Sequence, residues 1–379
     1  EETQTRIVLR TGRGLSPVYF SIGNRPLDAI GYGSLLKSSV CLSINKQIYV
    51  SQYLGNTTNF DTQENYNDVA SKLCRLLTIK PAILACDSHP NYYSTALAEQ
   101  QAQFYQAPLE RIQHHKAHFL AILGEHQLLQ EKVLGVVWDG TGLGDDKQIW
   151  GGEFFIYDKY EITREHQLEY SPHILGDKMA KEPRLSALSF FKEVPNAVVE
   201  TFFTPTEWTL YHKILDREQL QTSSVGRLFD AVSAILQLSL KQSYEGEAAL
   251  FLENAAHNYR VMHHEFYETY NFTIFGASIA IKPMLTEIIA DLSNNESIGK
   301  IALKFHFTLV RIIEEVAQKH CIERIAFSGG VFQNALLVDL LQQQLADHYM
   351  LHFHQKISAN DENISFGQII ALKCKQYVN

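Results

Sequence analysis

Short hydrophobic runs alternate with amphipathic stretches along this chain. Apolar runs of four to eight residues indicate buried strands, and apolar positions at helical spacing indicate helices. The strands predicted in this way are Thr5–Arg10, Ser39–Asn45, Gln47–Tyr53, Pro81–Cys86, Leu109–Gln113, Val133–Trp138, Trp150–Tyr157, Glu161–Leu168, Ile322–Phe327 and Tyr349–Phe353. The helices predicted are Thr62–Leu77 with Asp61 as N-cap, Ser94–Tyr105, one that carries His114 and His118, Ser224–Leu240, Glu247–His257, Ile281–Leu292, Ile298–His320, Val331–Leu345 and Ile364–Tyr377. This alternation predicts an α/β protein.

The length of 379 residues predicts two lobes, because a single small core does not grow to that size. We expect residues 1–24 to be a linker or the tail of a missing upstream domain. Residues 25–132 form the first predicted α/β lobe, with a C-terminal helix at 360–379 packing back on it, and residues 133–359 form the second. The proline-containing stretch 171–222 is predicted to be loop and short helix. The chain begins with Glu1 rather than Met, so we expect a piece of a longer protein.

Composition and charge narrow the class of partner. The formal net charge is −9 and no run is rich in Lys or Arg, which argues against a nucleic-acid partner. No apolar run is long enough to span a membrane, so no membrane partner is expected. Five scattered cysteines without a C-x-x-C pair argue against a zinc ribbon or a disulfide framework and fit a reducing cytoplasm.

Two histidines and an aspartate form a candidate metal site. His114 and His118 are four residues apart, and a helix would place both on one face. Asp139 follows the buried strand Val133–Trp138 and could complete a set of two histidines and a carboxylate. The alternative is that they are ordinary histidines, since the chain contains 16 and supplies another pair at His348 and His352.

Two glycine-rich segments at strand ends form a candidate nucleotide site. Asp139-Gly140-Thr141-Gly142 and Ser328-Gly329-Gly330 are predicted to be turns whose backbone N–H groups can approach an anion. One lies early and one late in the chain, which suits a nucleotide held between two lobes. The alternatives are a tight turn and a plain strand-to-helix loop. Taken alone, Gly246 is most simply a helix C-cap in a turn between two helices, and the N-cap of the last helix is the commoner role for an aspartate at position 361.

Several motifs, in unbroken order, resemble the HypF carbamoyltransferase family. The resemblance is to its C-terminal, TsaD-like half and extends from about Arg13 to the C-terminus. The motifs are Cys86–Pro90, His114–His118, Trp138–Glu153, Ser223–Asp230, Tyr244–Gly246, Gly329–Asn334, and Asn360-Asp361 followed by Ser365–Gln368. Any one of these motifs would be weak evidence, and their order makes the resemblance specific.

The resemblance implies an actin-like ATPase (ASKHA) fold with two lobes and a nucleotide cleft between them. It implies a divalent metal (Fe, Zn or Mg) held by His114, His118 and Asp361, with Asp139 as a further ligand or a phosphate-side carboxylate. His114, His118 and Asp139 are then the catalytic set. The positions implied to bind ATP or carbamoyl-adenylate are Asp139, Gly140, Thr141, Gly142, Asp230, Gly246, Gly329, Gly330 and Asn334.

The activity implied is carbamoyl transfer in the maturation of [NiFe] hydrogenase. In the family, an upstream YrdC-like domain makes carbamoyl-adenylate, and the TsaD-like half passes the carbamoyl group to a C-terminal cysteine of HypE. The attacking thiolate belongs to the partner, so no cysteine of this chain is assigned to catalysis. Two alternatives remain: a TsaD-like tRNA threonylcarbamoyl transferase and a non-catalytic nucleotide-binding scaffold.

Some residues depart from the family pattern. Lys116 stands where a histidine is common, Glu362-Asn363 where two glycines are usual, and Glu247 in place of a glutamine. Tyr53 and Asn56 replace a histidine and an aspartate. The departures at 362 and 363 are the best support for the scaffold alternative, because side chains there stiffen the backbone beside Asp361.

Overall fold

The computed structural model describes residues 7–12, 14–23, 25–195, 197–264 and 266–378. A first mixed sheet has the strand order β1-β4-β3-β2-β5-β6. Its strands are β1 (Val18–Ser21), β2 (Ala29–Gly31), β3 (Cys41–Ile44), β4 (Gln47–Val50), β5 (Ile83–Asp87) and β6 (Leu109–Ile112). Strands β2, β3 and β4 are antiparallel neighbours, whereas β5 and β6 run parallel to β2.

Alternate strand residues point to opposite faces of this sheet, and helices cover both faces. Ile30 and Leu84 face a core built with helices α1 (Phe60–Leu76) and α2 (Tyr93–Tyr105). Ala29 and Ala85 face a core shared with α3 (His114–Glu125) and α12 (Ile364–Val378). The C-terminal helix α12 therefore packs against the first sheet, whose strands lie in the first third of the sequence.

The second sheet has the order β12-β13-β9-β8-β7-β14-β15. Its strands are β7 (Val133–Leu143), β8 (Ile149–Asp158), β9 (Glu161–Leu168), β12 (Thr273–Phe275), β13 (Ser278–Ala280), β14 (Arg324–Ser328) and β15 (Met350–His352), with short β10 (Ser171–Pro172) and β11 (Gln221–Thr222) beside β8. Strands β7, β8 and β9 are antiparallel neighbours, and β14 and β15 run parallel to β7. This repeats the arrangement of the first sheet, with three antiparallel strands followed by two parallel ones.

Most helices of the second half cover one face of this sheet. They are α4 (Asp177–Lys181), α5 (Pro183–Phe190), α6 (Pro205–Leu215), α7 (Val225–Ile235), α8 (Glu247–Met262), α9 (Lys282–Ser293), α10 (Ile298–His320) and α11 (Ala335–Leu345). Short 3₁₀ helices lie at Val199–Phe202, Gly330–Gln333 and Asp361–Asn363. Helix α3 packs on β7 and β14 and also on α12, so it lies between the two sheets. Among the described residues, no helix combines the length and apolarity needed to cross a membrane.

Most predicted elements are present, and several differ in extent. Asn59, not Asp61, caps α1, because its side chain accepts from the N–H of Thr62. Helix α7 ends at Ile235 rather than at Leu240, since Gln237 adopts a positive φ. The helix predicted from Val331 instead begins at Ala335, after a 3₁₀ turn.

The stretch 171–222 is more helical than predicted. Pro183 and Pro205 each begin a helix, where the missing proline N–H leaves no acceptor unpaired. Thr204 and Glu207 form a capping box at the start of α6. Two of the four prolines in this stretch therefore mark helix starts.

The N-terminal strand prediction is wrong for residues 7–10, and Thr5 and Arg6 lie outside the described residues. The Leu9 carbonyl accepts from the side chains of Gln333 and Asn360 instead of from a neighbouring strand. Val18–Ser21, within the predicted linker, forms the edge strand β1 and pairs with β4. The boundaries proposed for the two lobes stay predictions.

Candidate functional site

Four buried side chains converge between the two sheets. His114 and His118 lie on the first turns of α3, Asp139 follows the buried part of β7, and Asp361 lies just before α12. Each offers one ligand atom, and the four atoms lie within 4.8 Å of one another. The structure therefore brings together all four residues of the predicted metal set.

The distances within this cluster suit a metal ion. His114 Nε2 lies 3.6 Å from Asp139 Oδ2 and 3.8 Å from Asp361 Oδ1. His118 Nε2 lies 3.9 Å and 3.7 Å from the same two atoms. Two ligands of a tetrahedral ion with bonds of about 2.1 Å are separated by roughly 3.4 Å. Within the described residues neither Nε2 atom has a hydrogen-bond partner, which is unusual for a buried polar atom and fits a cation between them.

The outer oxygen of each carboxylate is held by another group. Asp139 Oδ1 accepts from the Gly330 N–H at 2.9 Å, and Asp361 Oδ2 accepts from Ser34 Oγ at 3.2 Å. The inner oxygens are the ones that face the histidines. This division fixes each carboxylate while leaving one oxygen for a ligand, as outer hydrogen bonds do in metal sites.

Asp87 supports His114 and had no assigned role in the sequence analysis. Its Oδ2 lies 2.8 Å from His114 Nδ1, and its Oδ1 accepts from the His89 N–H at 2.9 Å. A carboxylate on Nδ1 favours the tautomer in which Nε2 carries the free lone pair. The available signal was the position of Asp87, directly after the predicted strand Pro81–Cys86.

The charges of the cluster favour ionised carboxylates. Burial lowers the pKa of His114, but the neighbouring carboxylates of Asp139 and Asp87 raise it well above its usual value. Burial raises the pKa of Asp139, and the neighbouring imidazoles of His114 and His118 more than reverse this, leaving it well below its ordinary range. Burial and the charge of Asp139 raise the pKa of Asp361, but the two histidines and Lys37 lower it by more, so its pKa is below the usual value. Ionised carboxylates are the form that binds metal.

The glycine-rich segments differ from the turns that were predicted. Residues 139–142 belong to β7, with a register shift between Trp138 and Gly142, and the chain reverses at 144–147 instead. Gly142 lacks a side chain because a Cβ there would lie 2.5 Å from His115 Cε1 and 2.8 Å from His114 Cδ2. Gly329 has φ of +103°, which a residue with a side chain rarely adopts. The bond from Gly330 to Asp139 joins the two glycine segments at one place.

The other positions predicted to bind nucleotide lie in or next to α7, α8, α11 and β7. Asp230 is buried, and its Oδ1 accepts from Gln242 Nε2 at 3.2 Å. Asn334 caps α11, and its Nδ2 lies 3.1 Å from His306 Nε2, so its amide is already engaged. Gly246 is exposed and precedes α8 with φ of +84°, so it is an N-cap rather than the alternative C-cap. Thr141 is exposed beside Gly140.

Two cationic side chains near these positions were not singled out from the sequence. Arg227 Nη2 lies 3.1 Å from Asp230 Oδ2, while Arg227 Nε and Nη1 are buried and lack partners within the described chain. Lys37 lies 2.6 Å from Glu245 and links the first half of the chain to the loop before α8. Burial lowers the pKa of Lys37, but the charges of Asp361 and Glu245 raise it above its usual value. Arg227 lies within the Ser223–Asp230 motif but had no assigned role, and no local pattern marks Lys37.

The residues that depart from the family pattern are accommodated by the fold. Glu362 is buried, and its carboxylate accepts from the backbone N–H of Thr11 at 3.0 Å. Asn363 Nδ2 donates to the Ser358 carbonyl at 3.0 Å. Lys116 points away from the cluster and pairs with Asp145 at 2.7 Å. These side chains therefore tie neighbouring segments together beside Asp361 and leave its inner oxygen facing the histidines.

The repeated strand order, with a buried polar cluster between the two sheets, defines a two-lobed α/β protein of the actin-like ATPase class. Comparison with known families is more specific. The HypF Kae1-like domain matches residues 24–125, and the family described as "Carbamoyltransferase, Kae1-like Domain, second subdomain" matches residues 135–368. The chain belongs to this family of HypF Kae1-like domains, which confirms the resemblance seen in its motifs.

Individual relatives agree. The chain is 29% identical to carbamoyltransferase HypF of Synechocystis sp., covering 98% of this chain and 51% of that protein. It is also 29% identical to the probable carbamoyltransferase HypF of Methanocaldococcus jannaschii, covering 96% and 49%. A crystal structure of full-length HypF in the phosphate- and nucleotide-bound form superposes with a TM-score of 0.87 at 27% identity, covering 96% of this chain and 48% of that one. The chain thus spans about half the length of these relatives.

Proposed function

We propose that this chain transfers a carbamoyl group from carbamoyl-adenylate to the C-terminal cysteine of a HypE-type acceptor protein. The observation that carries the proposal is the convergence of His114, His118, Asp139 and Asp361, with both Nε2 atoms unpartnered within the described residues. Curated relatives named as carbamoyltransferases support the reaction class. Carbamoyl-adenylate would come from an upstream YrdC-like domain, in keeping with the length of those relatives.

The four residues would hold one divalent metal. Two imidazole nitrogens and two carboxylate oxygens suit zinc or iron better than magnesium, which prefers oxygen ligands. When bound, the metal supplies a Lewis acid that neutralises phosphate charge or polarises a carbonyl group. Asp87, Ser34 and the Gly330 N–H would keep the ligands in place.

The nucleotide would lie beside the two glycine segments. Gly140 and Thr141 offer backbone at the cleft, and Gly329-Gly330 leads into the N-terminal end of a helical segment, where N–H groups favour anions. Two buried guanidinium nitrogens of Arg227, Nε and Nη1, have no partners in the described chain and lie next to Asp230. A guanidinium of this kind suits a phosphate group. The relative crystallised in a phosphate- and nucleotide-bound form supports this assignment.

The nucleophile would be supplied by the acceptor protein. The acceptor thiolate attacks the carbamoyl carbon, a C–S bond forms, the C–O bond to AMP breaks, and AMP leaves with the electron pair. Burial raises the pKa of Cys41, Cys74, Cys86 and Cys374, which keeps these thiols protonated. Four of the five cysteines are therefore poor nucleophiles, in keeping with a thiolate from outside.

The test supplies preformed carbamoyl-adenylate and a HypE-type acceptor and follows the acceptor's C-terminal peptide by mass spectrometry. We expect one added carbamoyl group, and none with carbamoyl phosphate and ATP alone. His118→Ala should slow the reaction by roughly a hundredfold or more, because a metal ligand contributes several kcal/mol to transition-state stabilisation. His212→Ala, on the half-buried side of α6, is the matched control and should react like the wild type. Modification of tRNA with an unmodified acceptor cysteine would overturn the proposal.

A further inference from the structure

A chain of buried polar side chains runs from His118 to the far end of its own helix. Ser328 Oγ lies 3.4 Å from His118 Nδ1 and 2.9 Å from His354 Nε2. His354 Nδ1 lies 2.5 Å from Glu125 Oε2, and Glu125 is the last residue of α3. The Ser328 and His118 side chains are fully buried, and those of His354 and Glu125 are 2% and 3% exposed.

The hydrogen bonds of this series of side chains can run in only one direction if His118 is to bind a metal. A lone pair on His118 Nε2 places the proton on Nδ1, which then donates to Ser328 Oγ. The Ser328 hydroxyl donates in turn to His354 Nε2, so the His354 proton is on Nδ1 and points to Glu125. Every group then has a partner of the correct kind.

This hydrogen-bonded series is anchored at Glu125, its far end, and at Ser328. Glu125 Oε1 accepts from the N–H groups of Gln355 at 2.8 Å and Lys356 at 2.6 Å. Asn363 Nδ2 lies 3.3 Å from Ser328 Oγ and donates to it. Burial raises the pKa of Glu125, but His354 more than reverses this and lowers it below its usual value. A charged carboxylate therefore terminates the chain as a strong acceptor.

We infer that Ser328, His354 and Glu125 are positioning residues that hold His118 in the Nδ1–H tautomer with Nε2 directed at the metal. Asp87 does this for His114 in one step. For His118 the carboxylate lies at the opposite end of α3. Ser328 of β14 and His354, two residues after β15, bridge the distance. The inference rests on the proposed metal site, and it assigns a role to residues outside the ligand set.

The first test measures the affinity of the purified chain for Zn²⁺ alone. Ser328→Ala and His354→Leu should each weaken binding tenfold to a hundredfold, the usual effect of removing an outer hydrogen-bond partner of a ligand. The double variant should be little weaker than the worse single variant, because either change breaks the same chain. His354→Gln keeps an acceptor for Ser328 and should recover part of the affinity. His166 is a buried histidine of β9 that takes no part in this hydrogen-bonded series, so His166→Leu should bind Zn²⁺ like the wild type.

The second test needs no metal. In ¹⁵N NMR spectra of histidine-labelled protein, His118 should be the Nδ1–H tautomer in the wild type and a mixture in Ser328→Ala. Should Ser328→Ala fail to fold, Glu125→Gln replaces it, with a smaller shift in the same direction. Unchanged affinity and an unchanged tautomer in a folded variant would overturn the inference. If the wild type bound no Zn²⁺, the metal proposal would fail, and the tautomer would still decide the positioning role.

Discussion

Gly142→Ala is the substitution that most directly tests the geometry of the cluster. The added methyl group would lie 2.5 Å from His115 Cε1 and 2.8 Å from His114 Cδ2. Carbon atoms in contact are separated by about 3.5 Å or more, so these rings have to move by roughly 1 Å. His114 cannot move without loss, because Asp87 holds its Nδ1 at 2.8 Å on the other side.

Two effects of different size follow from this displacement. Overpacking a filled core destabilises a protein by about 1–3 kcal/mol, and we expect a loss of that order in the free energy of unfolding. Metal sites tolerate deviations of only about 0.2 Å in ligand distance, so a shift of His114 Nε2 should weaken Zn²⁺ binding at least tenfold. Metal binding should thus respond more sharply than folding.

The assay combines urea denaturation in the presence of a chelator with a Zn²⁺ titration of the folded protein. Gly140→Ala is the matched control two residues away, where the nearest atom to a new Cβ is Arg227 Nη2 at 3.9 Å. It should change stability by less than about 0.5 kcal/mol and leave Zn²⁺ affinity unaltered. If Gly142→Ala behaved like Gly140→Ala in both measurements, the close packing of His114 against β7 would be refuted.

Three further predictions concern the metal, the nucleotide and pH. The wild type should bind one equivalent of Zn²⁺ by elemental analysis and a His114→Ala/His118→Ala variant none; equal contents would exclude the site. Millimolar ATP with metal should raise the melting temperature by mass action, and Arg227→Gln should reduce the rise, whereas no rise in the wild type would count against the nucleotide site. Burial raises the pKa of Asp230 to about 6, above its ordinary value in the unfolded protein. The contribution of protonated Asp230 to the free energy of unfolding is therefore fully present below about pH 4 and is lost as the pH rises through 6. Urea denaturation of Asp230→Asn should therefore show a decline between pH 4 and 6 that is smaller by about 2–3 kcal/mol, and a slope equal to that of the wild type would count against this.

Local patterns predicted the parts of this fold that local forces determine. The helix Ile298–His320 was predicted with its observed ends, because an N-cap at Ser297 and a continuous apolar face specify it. The strands β1 and β2 were missed, although β4 and β15 of the same lengths were predicted, because a strand depends on its neighbours in the sheet as well as on its own pattern. The hairpin β12–β13 was missed for the same reason.

The candidate site shows the same division. His114 and His118 could be paired from spacing because one helix carries both. Asp361 lies more than 240 positions later in the chain, and only the family resemblance joined it to them. The supporting residues His354 and Glu125 had no motif at all, since their roles arise from the packing of the segment after β15 against the end of α3.

The second histidine pair shows why spacing alone cannot identify a metal site. His352 Nε2 is also buried without a partner in the described chain, as the Nε2 atoms of His114 and His118 are. Burial, however, lowers the pKa of His352 to about 4, and its ring packs against His126, with centroids 5.1 Å apart. Neighbouring carboxylates instead raise the pKa of His114. The unpartnered Nε2 of His352 therefore belongs to a neutral ring, whereas that of His114 faces negative charge. A buried neutral imidazole needs no charge nearby, whereas two imidazoles facing two ionised carboxylates form a site with room and charge for a divalent cation.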